Sequence, residues 1–119
     1  MPRKELPNRR KSWTQKVKVG GQTLHITFSE YPDGHLGEIF VDCSKAGSAL
    51  RALLHTLAIF LSIGLQYNVP LRLYVEAMKG LHFEPSGDVN GSPEVKQACS
   101  IIDFIAQQIE ETYLKRDKP

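Results

Sequence analysis

The chain has 119 residues, of which 41% are hydrophobic and 24% charged; that is ordinary globular composition for a single domain, long enough to bury roughly 65% of its unfolded surface. The opening MPRKELPNRRKSW holds no apolar stretch of the kind a secretory signal needs. The longest apolar run, residues 57–65 interrupted by Ser62, is too short to span a bilayer, and two cysteines are too few for a disulfide framework, so a soluble, reduced, cytoplasmic protein is expected.

The net charge of +2 is unevenly spread. Seven basic residues, Arg3, Lys4, Arg9, Arg10, Lys11, Lys16 and Lys18, stand in the first 18 positions against one acid, Glu5. The remainder is mildly acidic. A basic arm over residues 1–12 is expected to be flexible, and it suits either a nucleic acid or an acidic partner surface.

From Trp13 the sequence alternates. Val17 and Val19 share one side and Lys16 and Lys18 the other, which predicts a strand. Gly20-Gly21 suits a tight hairpin, because glycine accepts positive φ. Leu24, Ile26 and Phe28 then alternate with Thr23, His25, Thr27 and Ser29 in a second strand. Tyr31-Pro32-Asp33-Gly34 reads as a turn, and residues 38–43 as a third strand. Three strands joined by short turns make an antiparallel meander.

A helix follows, starting at Ser44 or Ser48 as cap and running to Gln66. Leucine, isoleucine and phenylalanine nearly encircle it, so it is expected to be central and buried. Arg51, His55, Ser62 and Gln66, with Ala58, form one narrow polar seam. Pro70 opens a short second helix over residues 71–79, with Gly80 as its stop. Residues 81–93 read as a loop. Ser92-Pro93-Glu94 has the signature of a last helix reaching about Leu114, its core face carrying Val95, Ala98, Ile102, Ile105, Ala106, Ile109 and Tyr113. Ile101 and Phe104 fall off that face, on a second contact surface inside the fold or between subunits. Residues 115–119 form a polar tail. One domain over residues 13–114 is expected.

Candidate chemistry is sparse. A Walker loop needs G-x-x-x-x-G-K-[ST], but here Lys45 precedes Gly47. A helix N-terminus with Lys45, Ser48, Arg51 and His55 nearby can still hold an anion or nucleotide. Against that, Arg51 and His55 can simply satisfy polar groups between packed elements. His25, His35, His55, His82, Cys43 and Cys99 show no tight ligand spacing, so no metal site is expected. Cys43 and Cys99 read as small buried residues, and no catalytic residue is assigned.

Several strings, taken together, resemble a known family. LPNRR (6–10), KVKVGG (16–21), YPDGHLGEIFVDCSKAGSAL (31–50), LSIGLQYNVPL (61–71), FEPSG (83–87) and SIIDFI (100–105) are similar, in order and spacing, to the TSCPD domain. This is the C-terminal domain of adenosylcobalamin-dependent (class II) ribonucleotide reductases. The chain departs from the family in lacking the TSCPD string itself, in lacking a C-terminal cysteine pair, and in carrying Asn68 where glycine is usual. The large barrel that carries the radical chemistry in the full reductase has no counterpart in 119 residues.

The resemblance implies a stand-alone accessory domain linked to deoxyribonucleotide synthesis, named ribonucleoside-diphosphate reductase by homology and not catalytic alone. No cofactor is expected in this chain. The expected partners are a second copy or a reductase catalytic chain, with Arg9, Arg10, Lys11, Ile101 and Phe104 as contacts. The expected fold is α+β: a three-stranded antiparallel meander, then a long buried helix, a short helix and a C-terminal helix. Nucleic-acid binding through the arm and small-nucleotide or anion binding are the alternatives.

Overall fold

The computed structural model describes residues 2–43 and 46–115, and the fold is α+β. Strands β1 (Lys11–Val19), β2 (Gln22–Glu30) and β3 (Leu36–Asp42) form the expected meander. Helices α1 (Ser48–Gln66) and α2 (Leu71–Met78) follow. Two short strands, β4 (Gly87–Asn90) and β5 (Gln97–Ala98), precede helix α3 (Ile101–Ile109), which continues as a π-helical turn over Glu110–Leu114. The strand order is β3-β2-β1-β4-β5. The chain divides into two compact units: the residues up to Gln15 with Leu24–Val69, and Lys16–Thr23 with the residues from Pro70 onward.

In the first unit the alternation decides which side chains are inside. Leu24, Ile26 and Phe28 are fully buried. Trp13 stacks on Phe28 with ring centroids 4.4 Å apart. On the opposite face, hydroxyl pairs join the hairpin strands: Ser12 to Ser29 at 2.8 Å and Thr14 to Thr27 at 3.0 Å. β3 pairs antiparallel with β2, Phe28 standing opposite Ile39. The turn between them closes as expected, with the Gly34 amide donating to the Tyr31 carbonyl.

α1 lies along β3 and completes its outer edge. Ser62 Oγ accepts from the Ile39 amide at 3.0 Å and lies 3.1 Å from the Ile39 carbonyl. Gln66 Nε2 donates to the Gly37 carbonyl at 3.0 Å. An edge strand left bare would expose these backbone groups. Ser62 and Gln66, the lower half of the polar seam, therefore have a structural role, whereas Arg51 and His55, for which packing between elements was the alternative, are exposed.

The expectation that α1 is buried all round is corrected. Its buried residues are Leu54, Ala58, Leu61, Ser62, Leu65 and Gln66, a single face. Leu53, Ile59 and Phe60 are exposed. The expected cap at Ser48 is corrected too: Gly47 is the N-cap, no side chain among the described residues caps the helix, and Ser48 is its first helical residue. Ser44 lies outside the described residues.

The N-terminal segment expected as a flexible arm is docked on this unit through residues 3–6, and Met1 lies outside the described residues. The Lys4 amide donates to the Gln66 carbonyl at 2.8 Å, and the Tyr31 hydroxyl donates to the Lys4 carbonyl. Arg3 Nε reaches Gln66 Oε1 at 2.7 Å. Leu6 is buried. A Cβ on Gly37 would lie 2.6 Å from the Tyr31 ring and 3.0 Å from Leu6, so glycine is what lets the segment close over β3.

In the second unit Gly20 and Gly21 make the hairpin turn with φ of +54° and +88°, the double positive φ of a primed turn. β4 pairs with the end of β1, Val19 opposite Val89. The loop expected over 81–93 thus contains a strand. The last helix begins at Ile101, eight residues later than expected. Ser92 does accept the Val95 amide, as a cap would, but the chain then runs extended into β5, and the Val89 amide bonds the Lys96 carbonyl. The working cap is Ser100, whose hydroxyl accepts from the Asp103 amide. The buried Asp103 carboxylate accepts from the Gly80 and Cys99 amides at 2.7 and 2.8 Å, fixing both ends of the intervening segment.

Candidate functional site

The candidate site lies in the first unit, where the end of β3 meets the start of α1. Phe40, Val41, Asp42, Cys43, Ser48, Arg51, Ala52 and His55 enclose an open cleft of about 500 Å³. Strand alternation turns Phe40 and Asp42 outward, while Val41 and Cys43 point into the core. Helical spacing brings Ser48, Arg51 and His55 to the cleft within the first two turns of α1. The Phe40 and His55 rings meet edge-on, with centroids 5.9 Å apart.

A neighbouring cleft of about 390 Å³ shares Phe40 and His55 and continues past Ile59 to Ser62, Gln66 and Arg3. The His55–Phe40 pair is thus the ridge between the two.

The electrostatics of the first cleft are mixed. The first turn of α1 carries no acid and no side-chain cap, so its amides present partial positive charge. Arg51 adds a full positive charge and Asp42 a negative one on the same rim. The arrangement suits a small anion held by one guanidinium and a helix end. Among the described residues no group of three or more His, Cys, Asp or Glu side chains could hold a metal.

The structure brings together three of the four expected anion-site residues, Ser48, Arg51 and His55. Lys45 lies outside the described residues. Of the expected contact residues, Arg9, Arg10 and Lys11 line a separate small cleft with Glu30 and Pro32, and Arg10 sits 3.7 Å from Glu38. Ile101 and Phe104 are corrected as contacts: both are fully buried, so neither offers surface to another chain. Cys43 is buried and Cys99 half-buried, and neither forms a disulfide among the described residues.

Sequence reasoning missed the exposed apolar surface of α1. The helix is long and apolar enough, by length and composition alone, to cross a membrane. Here its buried face packs on β3. The available signal was the excess: one core face cannot use an apolar helix on every side.

A family model, that of the TSCPD domain, matches residues 2–113. The chain is 46% identical over 114 residues to the vitamin B12-dependent ribonucleotide reductases of Agrobacterium fabrum and Bradyrhizobium diazoefficiens, covering 96% of this chain and 9% of each relative. A third, from Streptantibioticus cattleyicolor, is 40% identical over 94% of this chain and 18% of the relative. The chain therefore spans less than a fifth of the length of these relatives. No solved structure matches significantly. The family match, which extends from the docked N-terminal segment through the π-helical turn, means that the chain belongs to the TSCPD domain family.

Proposed function

We propose that this chain is a non-catalytic accessory module of ribonucleotide reduction, working in the cytoplasm by contact with a reductase catalytic chain. One observation carries the reading. Nearly all of this chain is matched, at 46% identity, by one small segment of proteins named vitamin B12-dependent ribonucleotide reductase. A segment that is about a tenth of a large enzyme is more economically a part that binds or positions than the part that reacts. The test mixes the chain with a vitamin B12-dependent reductase lacking its own matching segment. Co-sedimentation at micromolar concentration, with a change in turnover, is the expected outcome; independent sedimentation would sink the proposal.

The cleft supports a second reading, a small anion or nucleotide site formed by Ser48, Arg51 and His55 at an uncapped helix end. A ligand selective for the folded chain raises its melting temperature. Inorganic phosphate and a panel of nucleoside di- and triphosphates should then stabilise the chain, and Arg51→Ala should remove the effect. A flat response across the panel would discard this reading.

A further inference from the structure

The exposed residues of α1 are not scattered. Leu53, Leu57, Phe60, Gly64 and Tyr67 recur at steps of four, three, four and three. That is the spacing of a seam that packs knobs into holes against another helix. Leu53 is 69% exposed, Phe60 65% and Tyr67 47%. Leu57 and Gly64 are half-buried between them. On the far side of the helix, Ser62 and Gln66 are committed to β3.

We infer that this seam is a self-association surface, paired about a twofold axis with the same seam of a second copy and centred on Phe60. Three observations select a second copy as the occupant. The first is charge: α1 carries a single charged residue, Arg51, on the side opposite the seam, so two copies meet without like-charge repulsion. The second is symmetry: the seam extends evenly to either side of Phe60, seven residues each way, so one patch can face itself as an isologous contact requires. The third is size: Leu53, Phe60 and Tyr67, at 69%, 65% and 47% exposure, offer roughly 350 Å² per copy, taking about 200 Å² for each aromatic side chain and somewhat less for the leucine. Two copies then bury about 700 Å², the scale of a small transient interface, so the pairing is weak and reversible. A membrane surface fits less well, since interfacial helices carry lysine and arginine along their polar face, and here that face packs on a strand. The inference stands on α1 alone and does not depend on the proposed reductase partner.

The experiment is sedimentation equilibrium on the full chain from about 2 to about 300 µM, a range that brackets a micromolar Kd. The expected result is a concentration-dependent rise from one chain mass toward two. Phe60→Glu and Leu53→Glu, each placing a charge in the seam, should raise Kd at least tenfold with far-UV circular dichroism unchanged. Leu73→Glu, at an exposed position on α2, should leave it unaltered. Phe60→Cys should form a disulfide between copies on mild oxidation. A chain that stays monomeric at about 300 µM overturns the inference, and pelleting of that monomer with anionic vesicles assigns the seam to a membrane instead. A dimer that survives both glutamate variants also overturns it.

Discussion

Asn68 ends α1 with φ of +67°, the one described non-glycine residue at positive φ. The Asn68 amide bonds the Leu65 carbonyl and the Val69 amide bonds the Gly64 carbonyl, so the strained residue is what turns the chain out of the helix. Asparagine tolerates this conformation better than other side chains. Asn68→Ala should therefore cost about 1 kcal/mol, while Asn68→Gly should be neutral or slightly stabilising. Urea denaturation of the pair checks the ordering. The resemblance flagged this position without explaining it; the backbone angle supplies the reason. Tyr31 gives a pH signature. Burial raises its hydroxyl above the ordinary tyrosine value, against a smaller opposing effect of Arg3. Tyr74 is raised by burial too. A group with a raised folded pKa stabilises fully below its unfolded value, near 10 for tyrosine, and loses that contribution as pH rises through the folded one. Stability should then be insensitive to these groups at pH 8 and fall above about pH 10. Tyr31→Phe with Tyr74→Phe should flatten that alkaline fall, even though the lost hydroxyl bond to Lys4 lowers the starting stability.

At the scale of elements, the seam of α1 is where sequence and structure meet most closely. The periodicity placed Ser62 and Gln66 on one line with Arg51 and His55. What no spacing shows is that the line faces a strand edge, because that depends on the tertiary placement of β3. Ser62→Ala would leave the Ile39 amide buried and unpaired, a cost of about 1–3 kcal/mol. Ser62→Thr keeps the hydroxyl and should recover part of it. Guanidinium melts of both variants, with hydrogen exchange at the Ile39 amide, test this: exchange accelerated only in the alanine variant is the expected pattern. The meander was legible because each strand alternates and each turn carries glycine or proline. β4 and β5 were not, because strands of four and two residues are too short for alternation to register. The late start of α3 has a sharper cause. Ser92 and Ser100 both precede a partner three residues on, and both accept that partner's amide. Only the second opens a helix, since Val95 and Ala98 are held by the extended segment that includes β5. The exposed face of α1 was misread for the opposite reason: an apolar side chain is written the same way whether it meets its own core or another chain.

At the scale of the whole molecule, charge and docking bear on the nucleic-acid alternative together. Of the seven cations in residues 1–18, Arg3 is bonded to Gln66, Lys4 lies 4.9 Å from the centre of the Tyr31 ring, and Arg10 faces Glu38. Arg9, Lys11, Lys16 and Lys18 remain exposed. About four phosphate contacts would lose on the order of a hundredfold in affinity between 50 and 200 mM salt. Fluorescence anisotropy with a labelled oligonucleotide should accordingly show weak binding at most at low salt and none near 200 mM. Deleting the arm is a poor control for that experiment, because the arm is part of the fold. Removal of residues 2–10 takes away the Leu6 side chain, whose burial is worth about 1.5–3 kcal/mol. It also strips the Gln66 carbonyl and the Tyr31 hydroxyl of their partners, at about 1 kcal/mol each. A loss of about 3 kcal/mol corresponds to a drop of about 10 °C or more in melting temperature for a domain of this size. Arg9→Glu with Lys11→Glu reverses charge at exposed positions and should leave the melting temperature within about 2 °C, as surface substitutions away from packed groups do. Calorimetry on the deletion and the charge-reversal variant separates the two contributions. An arm that is only a solvated tail predicts equal melting temperatures; an arm closed over Gly37 and Tyr31 predicts that the deletion alone falls.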